Sequence, residues 1–191
     1  MKFLLGASSA LSIVSGRLPA QEKPSSQAAF TDEERNGLRL GADSVRNTAL
    51  GFAFPNPGPK FIVDSSFPRQ TAESFGGQMP PDYLVWALRD TAGHQAVMMQ
   101  AIRIPGITEE QFRNFASGMR SKTANSRVLR DEMVWDNTRR EAVFAFQHPN
   151  GLYMVTRCVS RTKPDYILCL ATYSGDSTGL ANVSKGLAFS K

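Results

Sequence analysis

Two cysteines, two histidines and a short cationic run are the side chains of this 191-residue sequence with chemistry to offer. Cys158 and Cys169 flank Thr162-Lys163-Pro164-Asp165, a tetrad with turn composition. If the chain reverses between Lys163 and Pro164, the cysteines oppose each other across an antiparallel pair, where a disulfide closes with little backbone movement. The alternative is a pair of small buried thiols. Redox or metal chemistry has less to stand on, because the sequence has no Cys-x-x-Cys and no histidine beside either residue.

His94 and His148 each fall in an expected hairpin connection, where side chains are exposed by default. A zinc site takes three or four ligands, and neither histidine has a second ligand at helical or hairpin spacing, so no metal and no cofactor is expected. A Gly-x-Ser-x-Gly elbow is missing, and Ser74-Phe75-Gly76-Gly77 lacks the lysine and helix of a phosphate loop. Hydrolysis therefore stands only as an alternative, through a triad gathered from loops. It requires a Ser, Cys or carboxylate hydrogen-bonded to His94 or His148. The remaining candidate is cationic. Arg139 and Arg140 follow the large ring of Trp135, and His148 lies near the far end of the next strand. Trp135, Arg139, Arg140 and His148 are thus the expected ligand-binding residues, forming a mouth for an anion.

Charge narrows the partner. The sequence carries 22 Lys+Arg against 17 Asp+Glu, a net +5, but Arg120, Lys122, Arg127 and Arg130 are interrupted by neutral residues and followed by Asp131 and Glu132. Nucleic acid needs a clustered basic face, so it is not expected; a protein or small-molecule partner is. Part of the charge also belongs to the start of the chain. Lys2, the apolar stretch Phe3 to Val14, and small residues around Gly16 and Ala20 have the layout of a signal peptide cleaved after Gly16 or Ala20. Cleavage after Ala20 leaves 171 residues at +3. The expected location is secreted or periplasmic. No apolar run approaches the roughly 20 residues of a membrane-spanning helix.

The elements that position these residues follow from periodicity. Residues 1–20 are the expected signal, 21–45 a polar linker with a possible short helix at Thr31-Asp32-Glu33-Glu34, and 46–191 the folded domain. In that domain Phe52 and Phe54 share one strand face, and 65–81, rich in Gly and Pro, is expected as a long surface loop. Tyr83 to Leu88 and Ala96 to Ile104 flank a hairpin turn at Asp90-Thr91-Ala92-Gly93. Thr108 caps a helix with Phe112, Phe115 and Met119 on one stripe. Four strands follow, at 127–135, 141–147, 152–161 and 166–172, and then a closing helix over 178–189 with Leu180, Val183 and Leu187 inward.

This order, opened by Gly51-Phe52-Ala53-Phe54-Pro55, with Thr108-Glu109-Glu110-Gln111-Phe112 at the helix start, Gly151-Leu152-Tyr153 to Arg161 as a long strand, and Leu180 to Phe189 at the close, resembles the PsbP-like fold superfamily. The resemblance covers about residues 46–191. It implies an α+β chain, an α/β/α sandwich with a central antiparallel sheet, and a non-enzymatic accessory or binding domain acting through a sheet face or the 65–81 loop. It assigns no functional residue, so function rests on the site.

Overall fold

The structure, a computed structural model, describes residues 29–92, 94–121, 125–162, 165–175 and 180–189. The expected signal peptide and residues 21–28 of the expected linker lie outside the described residues, as do Gly93, Lys163 and Pro164 of the expected turns.

The chain folds as mixed α+β around two antiparallel sheets. A seven-stranded sheet has the order β4-β5-β6-β10-β9-β8-β7, built from β4 (Phe61–Val63), β5 (Tyr83–Asp90), β6 (Ala96–Ile102), β7 (Arg127–Trp135), β8 (Arg140–Gln147), β9 (Tyr153–Thr162) and β10 (Asp165–Ser174). A four-stranded sheet has the order β1-β2-β3-β11, from β1 (Leu38–Leu40), β2 (Ser44–Asn47), β3 (Phe52–Pro55) and β11 (Ala188–Phe189). The helices are α1 (Asp32–Asn36), α2 (Phe67–Ser74), α3 (Glu109–Ser121) and α4 (Ala181–Lys185).

Strand alternation divides the core into layers. On β5, Leu84, Trp86 and Leu88 pack with Phe52 and Phe54 of the small sheet and with Leu180, Val183 and Leu187 around α4. The intervening Tyr83, Val85 and Ala87 pack under Phe67 of α2. On β10, Leu168 and Leu170 join the first layer, while Ile167 and Cys169 face α3 with Phe112, Phe144, Phe146 and Cys158. Helices α2 and α3 therefore cover one face of the large sheet, and the small sheet with α4 covers part of the other. The second face carries more strand than helix, unlike the expected helical layer.

Three expected segments differ in the structure. Folded chain begins well before residue 46: Phe30 is buried, Thr31 and Glu34 form a reciprocal capping box, and Asn47 Nδ2 donates to Glu34 O at 2.8 Å. Arg103 locks this segment down, pairing with Glu34 at 2.6 Å and stacking over the Phe30 ring. The 65–81 segment is not simply a surface loop; it contains α2, with Pro68 in the first turn and Phe67 and Thr71 buried. The closing helix is only five residues long, and the chain then pairs with β3 as β11. Gly186 stops it: a Cβ there would overlap the Pro55 ring, so the backbones approach at this point only because the residue is glycine. Leu180, Val183 and Leu187 are nonetheless all buried, as their spacing indicates.

Candidate functional site: an open half-face of the large sheet

The small sheet and α4 cover β5, β6 and β10 but stop short of β7 and β8. On β8, Ala142, Phe144 and Phe146 face α3, so Glu141, Val143 and Ala145 face the other way. Cross-strand pairing continues that outward face: Val143 opposes Arg157 and Ala145 opposes Val155 on β9, while Ala145 opposes Arg130 on β7. Together with Arg139 from the β7–β8 turn and Ser184 and Lys185 of α4, these residues line a cleft of about 360 Å³. Its floor is aliphatic and its rim carries four cations.

Each cation is positioned by something identifiable. Asp136 Oδ1 accepts from Thr138 N at 2.7 Å, Thr138 Oγ1 at 2.8 Å and Arg139 N at 2.7 Å, folding the turn that presents Arg139. These three bonds, the one from the Thr138 hydroxyl foremost, hold the Asp136 carboxyl below its usual pKa. Arg139 and Arg157 each donate to Glu141, at 2.8 Å on separate carboxylate oxygens. Burial pushes the Glu141 carboxyl up, but the two guanidinium hydrogen bonds outweigh it and its pKa falls below the usual value. Arg157 is also the post on which α4 rests: its Nη1 donates to the carbonyls of Ser184, Lys185 and Leu187 at 3.1–3.2 Å. A cation at those carbonyls meets the partial negative charge at a helix end. Arg130 pairs with Glu132 at 2.6 Å on the exposed part of β7.

The four expected ligand residues are not gathered into one mouth. Trp135 and Arg140 are direct cross-strand partners and point to the α3 side, where the Arg140 guanidinium lies 4.8 Å from the Trp135 ring centroid and that ring packs on Phe112. His148 follows the opposite end of β8, eight residues and about 26 Å of strand from Arg140. Only Arg139 lines the cleft. The physical reason is parity: Arg139 is aligned with Glu141, and Arg140 therefore with Ala142. The cleft residues that sequence reasoning did not propose are Arg130, Glu141, Val143, Ala145, Val155, Arg157, Ser184 and Lys185. The usable signal lay in β8, where Ala142, Phe144 and Phe146 claim one face and leave a carboxylate and small aliphatic residues on the other.

The two cysteines are directly opposed, with Cα atoms 4.0 Å apart, and form a disulfide buried beneath α3. His94 is exposed, its backbone N donating to Asp90 Oδ1. His148 Nδ1 lies 2.9 Å from Ser126 Oγ, which meets the first condition of the hydrolase alternative. Among the described residues no carboxylate is hydrogen-bonded to that ring, and neither residue lines the cleft. No group of three His, Cys, Asp or Glu among the described residues is arranged to hold a metal, and no helix among them is long and apolar enough to cross a membrane.

No protein-family model matches the chain, and no curated protein sequence matches it. Among solved structures it is similar to the Ran-binding protein Mog1p of Saccharomyces cerevisiae, at a TM-score of 0.45 and 8% identity, over 79% of this chain and 96% of that one. A point mutant of the protein Mog1 gives the same TM-score and identity, over 78% of this chain and 96% of that one.

Proposed function

We propose that this chain is a secreted or periplasmic binding domain of PsbP-like architecture, without enzymatic activity, that engages a protein partner through the open half-face of its large sheet. The observation that carries the reading is the cleft over β8 and β9, beyond the edge of the small sheet and α4: its floor is buried Val143 with half-buried Ala145 and Val155, ringed by positioned cations. The sheet face, rather than the 65–81 segment, is favoured because α2 is spent on covering Tyr83, Val85 and Ala87. The N-terminal signal layout and the buried disulfide support an exported location, where disulfides persist.

The test is site-specific photocrosslinking of the full chain in the producing cell. A crosslinker at Ala145 or Val155 is expected to give a discrete adduct that disappears with Arg139→Glu, and one at Asn114, exposed on α3, none. Equal adducts from both faces, or none from the sheet, would overturn the reading. For location, mass spectrometry of the exported chain is expected to find an N-terminus at Arg17 or Gln21; a retained Met1 would refute the cleaved signal.

One observation favours a second reading, a hydrolase using Ser126 and His148. An activity-based fluorophosphonate probe decides it. Labelling that vanishes in Ser126→Ala would establish a nucleophile, and a wild-type chain that stays unlabelled would eliminate it.

A further inference from the structure

Resting on the reading of the open half-face as a partner site, we infer that its occupant is an acidic segment of a protein chain, with carboxylates against Arg130, Arg139 and Lys185 and an aliphatic side chain on Val143, Ala145 and Val155. The charge inventory comes first. Among the described residues four cations line the cleft against one carboxylate, Glu141, whose two oxygens already accept from Arg139 and Arg157. Arg157 is committed to structure, with Nη1 on three carbonyls of the α4 end and its side chain four-fifths buried. The outward cations are different. Arg139 is 53% exposed and Arg130 42% exposed, each with one guanidinium nitrogen bonded to a carboxylate, and Lys185 is exposed at the cleft wall. A guanidinium has five N–H donors, so both arginines keep donors in excess of the acceptors around them. Such a surplus is satisfied by carboxylates, which guanidinium planes bind in paired hydrogen bonds.

The floor distinguishes peptide from nucleic acid. Single-stranded nucleic acid is held by cations interleaved with aromatic rings on which bases stack. Among the described residues no aromatic lines this cleft, and a fixed carboxylate sits in it. Half-buried Ala145 and Val155, with buried Val143 at the base of the cleft, instead offer a strip on which an aliphatic side chain buries apolar area. Beside it, β7 is, among the described residues, an edge strand paired with β8, and its Arg130 opposes Ala145 on the cleft face. A segment alternating acidic and aliphatic residues matches both parts of the cleft.

The experiment titrates the isotopically labelled full chain with a synthetic peptide of about eight residues, long enough to span the face, alternating Glu and Val between solubilising ends. The same peptide with Gln for Glu, a single-stranded oligonucleotide of similar length, and inorganic phosphate are the other arms. Expected are methyl shifts at Val143, Ala145 and Val155 with the acidic peptide, binding about tenfold weaker for the Gln peptide and for Arg139→Ala combined with Lys185→Ala, and loss of affinity with added salt. Equal binding of the Gln peptide, tighter binding of the oligonucleotide or phosphate, or shifts elsewhere would overturn the inference. Crosslinks from Ala145 that persist while the acidic peptide fails would sink the acidic occupant and leave the partner face standing. Failure of both would remove the two together.

Discussion

β5 and β8 are both eight-residue strands of one sheet, and they differ in what lies over their second face. Both faces of β5 are covered, one by the small sheet and one by α2, and six consecutive residues, Tyr83 to Leu88, are buried. β8 buries Ala142, Phe144 and Phe146 beneath α3, while Glu141 and Val143, also buried, and half-buried Ala145 turn toward a cleft walled by side chains instead of a covering element. Between them β10 still contributes to both layers, and on β9 the outward face becomes valine and arginine. Where coverage ends, the chain does not substitute a fully polar surface. It keeps buried and half-buried aliphatic residues and surrounds them with cations held in place.

The largest effect that would sharpen this contrast comes from neighbouring residues of β8 and β9. Phe144→Ala empties a position beneath α3 that is 1% exposed and is expected to cost about 3–5 kcal/mol in urea denaturation. Val155→Ala, half-buried on the open face, is expected to cost about 1 kcal/mol or less while weakening partner binding. Equal costs would mean that the open face is core rather than site.

Next in size is the disulfide, which ties β9 to β10 at the boundary between the two halves. Cys158→Ala with Cys169→Ala is expected to lower stability by about 2–4 kcal/mol, or roughly 5–10 °C in Tm. By hydrogen exchange, amides of β7, β8 and β9 should lose more protection than those of β5 and β6, because the latter keep cover on both faces. Uniform loss across the sheet would show that the halves do not differ in local stability.

Glu141→Gln comes third. Removing one member of a largely buried ion pair costs roughly 3–5 kcal/mol, and because Arg139 is half exposed the expectation here is about 2 kcal/mol. The pH dependence supplies the sign. The folded pKa of Glu141 is held below its reference value of 4.5, so the unfolded chain binds the proton first as pH falls. The stabilisation is present above about pH 4.5 and is lost as pH drops through the lower folded value. Glu132 and Asp136 are also depressed, but both remain in the variant. The gap between wild type and Glu141→Gln, measured in urea from about pH 6 to about pH 3, should therefore close on the acid side. A constant gap would mean that the carboxylate is not what the two arginines hold.

The same contrast explains what was legible in the sequence. Strands with strong alternation or dense apolar runs were readable nearly to the residue: 127–135 is observed as expected, and 141–147 gains one residue. The α3 start was readable from Thr108, whose Oγ1 accepts from Gln111 N while Gln111 Oε1 accepts from Thr108 N. The opposition of Cys158 and Cys169 followed from turn arithmetic alone. What escaped depends on long-range partners. β1 and β2 are short, at three and four residues, and form because Arg103, Trp86 and Asn47 bind the segment around α1, with Trp86 Nε1 donating to Arg35 O. α2 has few apolar residues of its own and is folded by the β5 surface. The site escaped because adjacency in sequence, Arg139 beside Arg140, is separation in a strand.

The smallest expected stability effect makes the sharpest test of the open half. Arg130 sits on the exposed part of an edge strand, with Glu132 two residues away on the same side of β7. Exposed pairs of this kind are screened by water and salt and add almost nothing to folding. Arg130→Glu should therefore leave the urea midpoint unchanged while placing two carboxylates where the cleft presented a cation. If that rim attracts an acidic segment, the variant loses binding of the Glu-Val peptide and its salt dependence flattens, because the attraction screened by salt has been reduced. Stability separated from binding is the signature of a residue that serves a partner. If instead Arg130→Glu binds the peptide unchanged, the attraction resides in Arg139 and Lys185 alone, and the contact surface ends at β8 without reaching the edge.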